Sequence, residues 1–294
     1  KAIDDAHLFE RNYGPRAPAA NRRLQDSATV IFSLGTIYQN AHDWNHVVSH
    51  YHDWLRTYGR TAMPNQVLSA NMLQAHAFIE QHNENNAAPF LNTVVHDWGD
   101  GARVTERING ADGMSDEAKA LALLEAKTAV SEALFYQAEV LYQAYNHIHF
   151  PEYRGQGDLE SVNHWAQHNF VEWLQRKKAA LDAAEAAYNK LVPLDVPQWM
   201  ISAASRIGSM YTEFVDAFDD APVPTEIAND PDLYGIYVGA LEEQRQIFYN
   251  QAIPKFEFCL ITSTRVRWFN DYSRTCESEL HRLNPTDYPL ADEL

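Results

Sequence analysis

Ile31–Tyr51 reads IFSLGTIYQNAHDWNHVVSHY, and it decides the fold. Ile31, Leu34 and Tyr38 fall on one face at helical spacing, with Gly35 beside Leu34. Glycine within a helix costs about 1 kcal/mol against alanine, so it is expected where another helix must come close. The pattern breaks at Ala41-His42-Asp43 and restarts at Trp44. A second helix then carries Trp44, Val47, Val48, Tyr51 and Leu55, and stops at Gly59. Two short helices folded back on each other are predicted.

Working outward, the same design recurs. Pro64 and Asn65 open a helix in which Ala75 takes the place of Gly35 and Phe78 that of Tyr38. Ala87, Leu91 and Val94 follow at second-helix core positions, 40 residues after their counterparts. Ile207-Gly208-x2-Tyr211 repeats Leu34-Gly35-x2-Tyr38 in the same spacing, and Ala252-x3-Phe256 supplies its second helix. Between these lie two long helical stretches. The first runs from Ser115, a good N-cap, to Tyr145; its second half places Ala138 at the close-approach position. The other runs from about Leu159 or Ser161 to Leu191, with Ala184, Tyr188 and Leu191 in phase. Before the first pair, Ala2 to Phe9 reads as the end of a helix, broken by Pro15 and Pro18. Gly99 to Gly113, with four glycines, reads as a solvated loop, and a glycine-bearing loop follows Pro151. Residues 219–236 read as a proline-bearing insertion, with a helix from about Tyr237 to Cys259 after it. The last helix, Val266 to Leu283, is placed as a terminal cap. The expected fold is all-α: one domain, 1–294, of stacked antiparallel helix pairs, with insertions near 99–114 and 219–236.

Composition narrows the function classes. Forty acidic against 23 basic residues give a net charge of −17, which argues against nucleic acid and anionic membrane surfaces and suits a basic or apolar partner. No apolar run approaches the roughly 20 residues of a membrane span. The chain begins at Lys1 rather than Met, the pattern expected of a trimmed or mature form. The two cysteines, Cys259 and Cys276, form no Cys-x-x-Cys. With the last turn placed near Ser263–Arg265, their heights differ by about 10 Å at about 1.5 Å rise per residue, so free thiols are expected.

The order Ile31-x2-Leu34-Gly35-x2-Tyr38, then Val47-x3-Tyr51, resembles a tetratricopeptide repeat, W-x2-L-G-x2-Y then A-x3-F, with Ile31, Val47 and Tyr51 in place of Trp, Ala and Phe. The resemblance covers most of residues 24–283. SRIGSMYTEF, the DAPVP insertion, KFEFCLITSTRVRWFNDYSR and LNPTDYPL are similar to stretches of tetratricopeptide proteins from gliding myxobacteria. The resemblance implies a right-handed superhelix, an α-solenoid, whose first helices line a groove that holds a protein or peptide. Carried over, that groove includes Thr36, Gln39, Asn40, His76, Glu80, Glu139, Tyr142, Gln143, Arg206, Ser209 and Glu213. It further implies a non-enzymatic scaffold of a cell-envelope or gliding-motility complex, periplasmic or outer-membrane-associated.

Thirteen histidines are the remaining chemical signal. His46 and His50 share one helical face at i, i+4, a spacing that can hold a metal ion; His164 and His168 repeat it. No HExxH, phosphate loop or nucleophile elbow is present. Neither a cofactor nor a metal is expected; a histidine-based metal- or small-ligand-binding array is the alternative.

Overall fold

The computed structural model describes residues 1–154 and 158–290, and every regular element among them is helical. The chain packs as two compact units, residues 1–137 and 138–294.

The first unit contains α1 (Ala2–Tyr13), α2 (Leu24–Asn40), α3 (Trp44–Tyr58), α4 (Pro64–Glu80), α5 (Glu84–Trp98), α6 (Ala102–Asn109) and much of α7 (Asp116–Asn146). Sequence neighbours pack together: α1 on α2, α2 on α3, α3 on α4 and α4 on α5. Val47, Tyr51, Trp54 and Tyr58 recur every three or four residues along α3 and are buried. Each such aromatic contributes about 2–3 kcal/mol of burial. The Trp54 indole N–H also donates to the Ala28 carbonyl at 2.8 Å.

Two turns in this unit share one geometry. His42 has φ 53° and His82 φ 54°, the left-handed region that histidine enters more readily than most side chains. The Asp43 N–H returns to the Tyr38 carbonyl and the Asn83 N–H to Phe78, each at 2.9 Å. These bonds satisfy carbonyls that the ends of α2 and α4 leave open. Asp43 and Asn83 then cap the helices that follow, accepting from the His46 and Asn86 N–H.

The 99–113 stretch is not a loop throughout; α6 occupies its middle. Its glycines frame that helix. Gly101 enters it at φ 81° and Gly110 ends it, while Val104 and Ile108 bury one face. Ser115 caps α7 as expected, its hydroxyl accepting from the Ala118 N–H at 3.2 Å.

The second unit continues α7 and adds α8 (Leu159–Trp165), α9 (Val171–Tyr188), α10 (Pro197–Asp219), α11 (Thr225–Ala228), α12 (Pro231–Val266) and α13 (Asp271–Leu283). The expected long helix from Leu159 to Leu191 is continuous but changes its hydrogen-bond register. Ala166–Phe170 forms a π turn between α8 and α9, and a 3₁₀ turn follows α9. Phe150 packs among Trp165, Phe170 and Trp173 around that π turn. Residues 155–157, the glycine-bearing part of the loop after Pro151, lie outside the described residues.

Helix α12 begins six residues before Tyr237. Asp230 caps it, accepting from the Asp232 and Leu233 N–H groups, and Pro231 takes the first helical position, where its missing donor costs nothing. Helix α12 also runs past the expected turn to Val266, so the turn falls at 267–270. That displacement corrects the cysteine expectation. Cys259 precedes the true turn by about as much as Cys276 follows it, the two Cα atoms lie 6.4 Å apart, and the residues form a disulfide. Both are buried in the core of Ile201, Ala252, Phe256 and Leu280.

The two glycines sit where two helices touch. A Cβ on Gly35 would collide with the Tyr51 ring, and one on Gly208 would meet the Phe256 ring at 2.5 Å. In both hairpins the first helix offers a bare backbone to an aromatic side chain of the second.

Candidate functional site

In the first unit, the first helix of each pair presents the polar positions. Thr36 and Asn40 on α2 are exposed and Gln39 is half-buried. His76, half-buried on α4, is held between two carboxylates: its Nδ1 lies 3.0 Å from Glu132 and its Nε2 3.6 Å from the exposed Glu80. The Glu132 hydrogen bond outweighs burial and pushes the His76 pKa up. Trp44 meets the imidazole edge-on at 6.0 Å.

The histidine pair on α3 does not share a ligand. His46 gives Nδ1 to Asp43 at 2.7 Å and stacks on Tyr38. His50 gives Nε2 to the Ile31 carbonyl at 3.0 Å, and burial lowers its pKa. Among the described residues no group of three or more His, Cys, Asp or Glu is placed to hold a metal ion.

In the second unit, four of the groove residues converge, and they converge on one another. Arg206 donates twice to Glu139, at 2.9 and 3.0 Å, the paired geometry that guanidinium and carboxylate favour. The Arg206 guanidinium lies over the Tyr142 ring at 4.8 Å and the Tyr272 ring at 5.2 Å. The Tyr188 hydroxyl donates to Glu139 as well. Burial opposes the Arg206 charge, but the Glu139 bonds more than offset it and raise the pKa.

Two helical turns along α10 from Arg206, Glu213 receives the Tyr142 hydroxyl at 3.4 Å and lies 3.6 Å from Lys177. Asn146 donates to both Glu213 oxygens, at 3.2 and 3.3 Å, in the amide orientation that satisfies its groups. Lys177 also donates to the Tyr145 carbonyl at 3.1 Å and sits 3.6 Å above the Tyr145 ring. Burial pushes Glu213 up and Lys177 down, each partly offset by the other. Their bonds to Tyr142, Asn146 and Tyr145 keep the buried Lys177 and the half-buried Glu213 from being orphaned.

Ser209 is half-buried and Gln143 exposed on the same helices. Glu139, Tyr142, Arg206 and Glu213 therefore brace α7 against α9 and α10, and exposed polar groups stand beside them.

Lys177, Tyr188, Tyr145, Tyr272 and Asn146 belong to this network and escaped the sequence reading. For Lys177 a signal was present. Trp173, Lys177, Leu181, Ala184 and Tyr188 form one helical stripe, so this lysine is in phase with the buried face of α9. A lysine in that phase needs an anionic partner.

An apolar cleft of about 390 Å³ lies in the same unit, lined by Tyr188, Leu191, Met200, Ile207, Pro254 and Phe258. Lys255, bonded to Glu185 at 2.7 Å, borders it. Among the described residues no helix is long and apolar enough to cross a membrane. No protein-family model, no curated protein and no solved structure matches the chain.

Proposed function

We propose that the chain is a non-enzymatic scaffold of the tetratricopeptide type, which holds a peptide or protein segment of basic or amide character on its first helices. The observation that carries this reading is the repeated hairpin contact, Gly35 under Tyr51 and Gly208 under Phe256. Hairpins so closed stack within each unit in the manner of a right-handed superhelix and leave the first helices as a common wall. Thr36, Asn40 and Glu80 are the exposed groups of that wall in the first unit, and Gln143 is its exposed group in the second. The network around Glu139 and Arg206 is its rigid backing. With net charge −17, association is faster at low salt.

A periplasmic or outer-membrane-associated place in a cell-envelope or motility complex is part of the same proposal. The Cys259–Cys276 disulfide supports it, because such bonds persist in oxidising compartments.

The test is cross-linking in the native cell, followed by titration of the recovered partner with purified chain. Joint replacement of Asn40 and Glu80 by Ala should weaken binding about tenfold, or about 1.4 kcal/mol, with helicity unchanged. Equal affinity at low and high salt for both proteins would move the binding surface elsewhere.

A further inference from the structure

A cleft of about 380 Å³ in the first unit is bounded by α1, the segment after it, α2 and α3. This volume falls in the range of small-molecule sites. We propose that it binds a small polyanion bearing phosphate or carboxylate groups.

The walls are firm. Trp54 and Tyr58 are buried and line the cleft with Ile31. His50 is fixed on the Ile31 carbonyl at 3.0 Å, and the Tyr58 hydroxyl donates to Glu10 at 2.7 Å.

The charges do not cancel. Five charged side chains line the cleft besides His7 and His50: Arg11, Arg16, Arg56, Glu10 and Asp53. Asp53 is taken by Arg56 at 3.1 Å. Glu10 is taken by the Tyr58 hydroxyl and by His7, 3.6 Å away. Among the described residues the guanidiniums of Arg11 and Arg16 have no hydrogen-bond or ion-pair partner, and both stand exposed on the rim. Two uncommitted planar forks facing one small cleft match the geometry of phosphate and carboxylate.

The setting strengthens the case. Residues 1–60 hold seven Lys or Arg and six Asp or Glu, within a chain of net charge −17. A slightly cationic segment in so acidic a chain spares an anion at this cleft much of the repulsion that the acidic remainder exerts. The small volume of the cleft favours a small ion over a polymer.

The experiment is calorimetric titration of the full chain at low salt with pyrophosphate and, separately, with citrate. Binding in the millimolar range or tighter is expected for at least one. Pyrophosphate alone would assign a phosphoryl ligand and citrate alone a carboxylate ligand. The double variant Arg11→Gln/Arg16→Gln should lose at least about tenfold in affinity and keep the wild-type circular dichroism. A control, Arg103→Gln/Arg176→Gln, removes two exposed charges that do not line the cleft and should bind as wild type. The proposal is overturned if neither anion binds, or if the control loses as much affinity as the cleft variant.

Discussion

Tyr51 follows Gly35 by 16 residues, whereas Phe256 follows Gly208 by 48. Both pairs end in the same contact, an aromatic ring on a bare helix backbone. The α2/α3 hairpin is closed locally, by a three-residue turn in which His42 takes the left-handed conformation and Asp43 caps α3. The α10/α12 hairpin has eleven residues between its helices, including α11. On chain length alone, that longer connection costs about 1 kcal/mol more to close. Its closure is secured at a distance by the Phe214–Phe248 stack at 4.0 Å, and the disulfide from α12 holds α13, which packs on both helices. The contact is therefore the constant of the fold, and the means of reaching it varies.

Three experiments would break or sharpen that comparison. The largest effect belongs to the disulfide. Its sequence separation is 17, and a loop of that size contributes about 3 kcal/mol. Replacing both cysteines by Ala should destabilise the second unit by about that amount and leave the first unit's hydrogen exchange unchanged. Thiol titration of the denatured, unreduced protein should find no thiol; two would remove the distant clasp from the account.

Next come the glycines. Gly35→Ala and Gly208→Ala should each cost about 1–3 kcal/mol through overpacking, although alanine is the better helix former. Placed in a Tyr51→Ala background, Gly35→Ala should become neutral or stabilising. A double-mutant cycle with no coupling would show that the close approach carries no energy.

The smallest effect lies in the turns. His42 and, between α12 and α13, Arg267 both hold positive φ, 53° and 55°. Substitution by Gly should stabilise each by about 0.5 kcal/mol, the relief of a Cβ offset by added freedom in the unfolded chain. Denaturant midpoints measure it. A loss at His42 alone would mean that its edge-on contact with Trp44 matters more than its backbone.

The helix pairs were legible because apolar spacing and a misplaced-looking glycine are both local signals. Gly35 and Gly208 announced a contact that the structure contains. Failures arose where a breaker residue had a second use. Gly101 and Gly110 start and stop α6 rather than dissolve it. Pro231 begins α12 rather than belonging to an insertion. The turn read at Ser263–Arg265 falls instead at 267–270, and that small shift is what brings the cysteines level. The site was less legible still. Arg206 and Glu139 are 67 positions apart, and Lys177 and Glu213 lie on different helices. Charge pairing at that range leaves no mark on a single sequence beyond a lysine in phase with a buried face.

The turn at His42 recurs at His82 with the same backbone shape and the same capping pattern, one step of 40 residues later. Excising residues 44–83 would bring Asp43 next to Glu84 and leave one such turn intact, with α2 now leading into α5. Forty residues is thus an interchange length, at which this part of the chain could gain or lose a whole hairpin by recombination without redesigning a joint.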